Sequence, residues 1–300
     1  MSSKSLKTPL RYPGGKSRAC AKMESFFPDL LDYENYCEPF LGGGSVAIYV
    51  TKKFPHLKVW VNDLYEPLVN FWECLQLAGD IMQERLVKLK EDNPNPEKAK
   101  ELFLESKKIV SEGPHVARAV AFYIVNKCSF SGLTENSSFS KQASDSNFSM
   151  RGIEKLSEYM KIIKHWKITN LSYEDLLDVQ DSFTYLDPPY EIKDNLYGTK
   201  GKLHKHFDHD KFAKDCSDLS SNAVLSYNSD QLIKDRFKDW NYGEFDLTYT
   251  MRSVGKYMKE QKDRKELLLL NYKPKPRAKI KFSYGECYNN TKLKKAGLTT

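Results

Sequence analysis

Several things are scarce in this chain. No apolar run approaches the length of a membrane span, and the opening MSSKSLKTPLRYPGGK has no apolar leader, so we expect a cytoplasmic location and no membrane partner. Cysteine is sparse and scattered: Cys20, Cys37, Cys74, Cys128, Cys216 and Cys287 include no CxxC pair, which excludes a disulfide scaffold and speaks against structural zinc. A complete phosphate-binding loop is missing too. Gly15-Lys16-Ser17 forms the tail of that pattern, but Leu10 stands where its first glycine belongs. Of six histidines, His204, His206 and His209 cluster without the acids or cysteines that would complete a metal site. The segment around them, 191–210, reads better as a lid, and no metal is expected. Charge is not strongly one-sided: 47 Lys and Arg face 40 Asp and Glu, a net charge of +7. Such an excess permits a nucleic-acid partner without requiring one.

What is present is organised around Asp187-Pro188-Pro189-Tyr190. Ser182–Leu186 before it is a short β-branched and aromatic run, which predicts a buried strand. Two prolines forbid a helical continuation, so a carboxylate and an aromatic ring sit at the rim of a sheet, where open α/β sheets bind ligands. A strand closed by an Asp-capped proline turn is the plainer reading of the same four residues. The glycine-rich stretch from Asn35 to Val50 tips the balance: Gly42, Gly44 and Ala47 satisfy the G-x-G-x-x-A turn between a first strand and its helix. A second strand-like run, Val59–Asp63, ends in an acid 21 residues after Gly42. That is about the separation, roughly 20 residues, of a ribose-binding acid. Asp63 also suits a helix cap.

Between 64 and 92 apolar spacing predicts two helices broken near Gly79, and 93–100 is a loop entering another polar helix. A strongly apolar helix ends at Asn126-Lys127. Residues 128–150 are rich in Ser and Asn with Phe130, Phe139 and Phe148 interleaved, a composition that suits either a surface meeting nucleic acid or a disordered loop. Further helices are expected at 17–27, 153–165 and 212–219, and strands at 223–230, 245–250 and 266–272. Beyond lies a basic tail.

Taken in order, YPGGK at 12–16, EPFLGGGSV at 38–46, ND at 62–63, DPPY at 187–190 and RS at 252–253 resemble the Dam-type N(6)-adenine DNA methyltransferases, in the motif order of their alpha group. The resemblance covers nearly the whole chain. It implies an α/β, Rossmann-like S-adenosylmethionine-dependent methyltransferase sheet with an inserted, mostly helical target-recognition region. The catalytic domain would comprise 1–92 and 171–272, the insertion 93–170, and the basic tail 273–300. Tyr12 and Lys16 would line the methionine end of S-adenosylmethionine; Glu38, Phe40 and Gly42 to Ser45, Gly44 included, would form the cofactor turn; Asp63 would accept the ribose hydroxyls; and Asp187 would lie between cofactor and target base. One departure stands out. Where many relatives carry an acid followed by Phe shortly before DPPY, against the cofactor's adenine, this chain has Ser172-Tyr173.

The residue types suit that chemistry in their own right. Adenine's exocyclic nitrogen is a weak nucleophile because its lone pair is delocalised into the ring. If Asp187 and the Pro188 carbonyl accept its two hydrogens, the lone pair is freed to face a methyl donor. Pro189 fixes the turn, and Tyr190 offers a ring on which an extruded base can stack. Within 126–151, Lys127, Lys141 and Arg151 are the expected contacts to double-stranded DNA. A cognate restriction endonuclease as partner, a bacterial or virus-infected host cell, and a monomer or weak dimer complete the expectation. Methylation of a cytosine or RNA amine, or a non-catalytic DNA-binding relative, are the alternatives. The first is disfavoured by Asp in place of the Ser that usually opens the cytosine motif, the last by an intact cofactor set.

Overall fold

Short apolar runs separated by glycine, proline and polar turns build one mixed sheet, seen in a computed structural model that describes residues 7–12, 14–130, 132, 137–190, 207–246 and 265–274. Among the described residues its strands are β1 (Asn35–Glu38), β2 (Lys58–Asn62), β3 (Lys167–Thr169), β4 (Ser182–Leu186), β5 (Asn222–Asn228), β6 (Asn241–Asp246) and β7 (Lys265–Leu270), in the spatial order β3-β2-β1-β4-β5-β7-β6. The first five run parallel; β7 pairs antiparallel with both β5 and β6. This is the Rossmann-like methyltransferase sheet expected above. The order reverses between β1 and β4, and the crevice outside the carboxyl ends of two such strands is where open sheets take their ligands.

Both faces of the sheet are covered, which is why its central strands read as continuous apolar runs. Side chains alternate between two buried clusters. Val224, Leu268 and Leu270 join Phe183 and Tyr185 on one face, whereas Ala223, Leu225, Leu267 and Leu269 join Phe212 and Phe237 on the other. The first face is covered by α1 (Cys20–Met23), α2 (Ser45–Lys53), α3 (Glu66–Leu77), α4 (Gly79–Asp92), α5 (Pro96–Ile109), α6 (His115–Cys128), α7 (Lys141–Ser146), α8 (Met150–Glu154) and α9 (Leu156–Ile163), whose buried side chains extend that core. The ring of Phe71 on α3 lies 5.7 Å from Phe122 and 6.2 Å from Tyr123 on α6. On the second face are α10 (His209–Ser217) and α11 (Gln231–Arg236). Among the described residues no helix is long and apolar enough to cross a membrane.

The helix break at Gly79 falls where the spacing predicts it. Elsewhere the chain departs from its pattern for identifiable reasons. β3 is only three residues long, too short to show a period, and exists because it pairs with Trp60–Asn62 at the sheet edge. It lies ahead of residue 170, so this strand joins the sheet from within the stretch read as an insertion. The expected helix 17–27 tightens after Met23 into a 3-10 turn at Glu24–Phe26, and the one at 153–165 divides at Lys155. β6 lies four residues ahead of the expected strand, in register with β7; residues 247–250 are outside the described residues.

The Ser-rich segment also needs correction. Its serines cap helices: Ser140 Oγ accepts from the Ala143 N–H at the start of α7, and Ser149 Oγ from the Gly152 N–H at the start of α8. Phe148 is fully buried and Phe139 packs 5.7 Å from Phe103, so of the three phenylalanines only Phe130, 51% exposed, faces solvent.

Candidate active site at the switch point

The turn after β1 is set by two left-handed glycines, Gly42 (φ +50°) and Gly44 (φ +67°). A Cβ at Gly42 would lie 2.9 Å from the Tyr12 ring, and one at Gly44 2.8 Å from Trp72, so neither space nor backbone admits a side chain. Trp72 Nε1–H donates to the Gly42 carbonyl at 3.2 Å, fixing the turn against α3. The carboxyl end of β2 meets the turn through Asp63, which accepts the Gly42 N–H at 2.8 Å and the Tyr65 N–H at 3.0 Å. Burial outweighs these bonds and pushes the Asp63 carboxyl up to about 6. Asn62, fully buried, ties the same strand end to its neighbours by donating to the Pro39 and Leu171 carbonyls.

Across the switch point, β4 delivers Asp187. Its carboxylate is met by Lys16, whose ammonium donates to both oxygens at 2.9 Å and to the Gly14 carbonyl at 3.1 Å. Ser226 on β5 donates to Oδ1 at 2.7 Å and shares a 2.9 Å hydrogen bond with Tyr185. Tyr190 completes the group. Its ring lies 5.0 Å from the Lys16 ammonium and 5.4 Å from the Tyr227 ring, and its hydroxyl donates to Glu266 at 2.6 Å. Glu266 Oε1 in turn lies 3.4 Å from Lys16.

The remaining expected residues divide. Glu38 is buried beside this cluster with Tyr36 donating to it at 2.6 Å, and burial drives its carboxyl well above the usual range, with the Asp187 charge adding to the shift. Ser45 pairs with Ser17 at 3.0 Å. Phe40 stacks on Tyr173 with centroids 5.6 Å apart, so the tyrosine of Ser172-Tyr173 joins an aromatic wall with Phe207 and Phe212. Lys141 and Arg151 are exposed, whereas Lys127 is half-buried, its ammonium 5.2 Å from the Tyr123 ring. Burial and the neighbouring Arg11 lower the Lys127 pKa to about 8. His209 shares a 2.9 Å hydrogen bond with Tyr227, while His204, His206, Arg252 and Ser253 lie outside the described residues.

Sequence reasoning missed Glu266, Ser226 and Tyr185. Glu266 carried a signal: an acid heading the run Leu267–Leu270 is headed for the interior and needs a cation.

The lysine loop is also clamped to the middle region. Asn126 accepts the Arg11 N–H at 2.9 Å and donates to the carbonyls of Arg11 at 2.7 Å and Gly132 at 2.8 Å, while Arg11 donates to the Ser129 and Phe130 carbonyls. Asn126→Ala strands these backbone groups and is expected to destabilise the fold by about 2–4 kcal/mol. Chemical denaturation should show a lower midpoint at unchanged slope; an unchanged midpoint would remove the clamp's importance.

Comparison with known proteins agrees with this geometry. A family model described as D12 class N6 adenine-specific DNA methyltransferase matches residues 12–251. The Type II methyltransferase M.MjaIII of Methanocaldococcus jannaschii is 28% identical over 200 residues, covering 61% of this chain and 68% of that protein. Among solved structures, the rRNA methyltransferase aviRa from Streptomyces viridochromogenes aligns over 90% of this chain and 88% of its own, at 11% identity and a TM-score of 0.29.

Proposed function

From the premise that the chain belongs to the D12 class N6 adenine-specific DNA methyltransferase family, we propose that it uses S-adenosylmethionine to methylate adenines extruded from duplex DNA at a specific site. The observation that carries this reading is the meeting, at one switch point, of the β1 glycine turn, Asp63 and Asp187. The residues present fit such a donor: the turn leaves a cradle that a Cβ would fill, Asp63 can accept sugar hydroxyls, and Phe40 with Tyr173 forms an aromatic wall. When bound, S-adenosylmethionine supplies a methyl group from its sulfonium to the adenine nitrogen, which then loses one of its hydrogens as a proton.

The chain's own residues do the rest. Asp187 accepts one amine hydrogen, and the Pro188 carbonyl accepts the other. A carboxylate has about four acceptor sites. Lys16 and Ser226 take up three around Asp187, so Oδ2 retains capacity on the side where the residue remains partly exposed. Pro189 keeps the turn from closing into a helix, and Tyr190, its hydroxyl anchored by Glu266, presents a ring for the extruded base. Lys16 and Tyr12 flank the cofactor turn, with Glu38 and Ser45 beneath it. Lys141 and Arg151 reach DNA phosphates or base edges, with Lys127 behind them. The biological role we assign is modification of a recognition site shared with a cognate endonuclease, in keeping with the Type II relative.

Incubating the protein with labelled S-adenosylmethionine and duplex DNA, then mapping N6-methyladenine, tests the reaction and yields the recognition word; label on cytosine, or on RNA alone, would overturn it. Lys141→Glu is expected to weaken DNA binding about tenfold or more, with a smaller salt dependence, and to leave cofactor affinity unchanged. Loss of cofactor affinity in that variant would sink the DNA-facing assignment.

A further inference from the structure

Lys16 poses a problem for the site it serves. An ammonium bonded to both oxygens of Asp187 cancels the charge that a cationic methyl donor and a developing positive amine need nearby. The answer lies on β7, at a residue far from every motif. Glu266 is 2% exposed, its Oε1 is 3.4 Å from the Lys16 ammonium and accepts the Tyr190 hydroxyl at 2.6 Å. One lysine is therefore shared by two carboxylates. Among the described residues, Lys16, Asp187 and Glu266 carry one net negative charge. Glu38 adds little to it, because its burial favours the protonated carboxyl.

We propose that Glu266 is a positioning residue for methyl transfer: by sharing Lys16 and holding the Tyr190 hydroxyl, it keeps the Asp187 site net negative towards a sulfonium and an amine gaining charge. The proposal rests on the S-adenosylmethionine reading above. Three geometric facts support it. Glu266 faces the same ammonium as Asp187, it is removed from water where charge acts strongly, and its second contact runs to the ring assigned to the base. A role in β7 stability alone would not require both contacts.

The test is a charge series read by affinity for two probes, S-adenosylmethionine and S-adenosylhomocysteine, the second lacking the sulfonium charge. Glu266→Gln keeps the shape and removes the charge. It should lower the preference for the sulfonium compound about tenfold and slow single-turnover methylation about tenfold to a hundredfold. Lys16→Met should raise the preference, and the double variant Lys16→Met/Glu266→Gln should return it near the wild-type value. If Glu266→Gln does not fold, comparing Lys16→Met with the double variant reads the same charge. Tyr190→Phe, which deletes the hydroxyl but no charge, should leave the preference unaltered. Equal preferences in wild type and Glu266→Gln, or equal losses for both probes, would overturn the proposal. A wild-type protein that binds neither probe would instead refute the cofactor reading.

Discussion

Asp187→Ala is expected to lower the single-turnover rate of adenine methylation by at least about a thousandfold, because it removes both the acceptor that orients the amine and the nearest charge opposing its developing positive one. The protein should nevertheless fold. Lys16, which loses two bonds to Asp187, keeps Glu266 at 3.4 Å and the Gly14 carbonyl at 3.1 Å, so the substitution does not leave a buried ammonium alone. Ser226 keeps its bond to Tyr185. Thermal unfolding within a few degrees of wild type, together with retained cofactor binding and lost methylation, is the expected combination. Asp187→Asn should be nearly as inactive, since an amide keeps one acceptor but no charge. If Asp187→Ala methylates at the wild-type rate, Asp187 has no part in the chemistry.

The parts of the site legible in the sequence are those written in local pattern. The glycine turn needs left-handed backbone within three residues, Asp63 ends a strand that alternates cleanly, and DPPY stops its strand abruptly; each is a short-range signal. The order of the strands makes these signals converge. What was not legible depends on tertiary pairing. Glu266 meets Lys16 only because β7 inserts antiparallel beside β5, aligning Glu266 with Asn228 and Leu268 with Ser226. Nothing near Glu266 in the chain announces that neighbour. Likewise, composition around 128–150 resembled a flexible polar loop, yet a polar residue at a helix start serves as a cap, and Phe139 and Phe148 are drawn inward by Phe103 and the α4 to α6 core. The same serines suit both readings until the helices they cap are in place.

Asp63 leads to the second large effect, and to one that depends on pH. Its folded pKa of about 6 lies above the ordinary 3.8 because burial penalises the carboxylate more than the backbone N–H groups of Tyr65, Gly42 and Leu64 relieve it. For folding, the sign is unfavourable at neutral pH. An acid whose pKa is raised in the fold carries no penalty below its unfolded pKa, accumulates one between about 3.8 and 6, and carries it in full above, worth about 3 kcal/mol. A ligand that donates hydroxyls to the ionised carboxylate offsets that penalty, so binding must lower the pKa and release a proton in the same window. Affinity for S-adenosylmethionine is therefore expected to be full above pH 7 and to fall, towards about tenfold per unit, as pH drops below 6. Asp63→Asn should bind about ten to a hundred times more weakly at pH 7.5, since two charge-assisted hydrogen bonds lose their charge, and should show a nearly flat profile down to pH 5. Titration calorimetry in buffers of different ionisation enthalpy would count the released proton directly. A wild-type affinity independent of pH between 5 and 7.5 would mean that the sugar does not rest on Asp63.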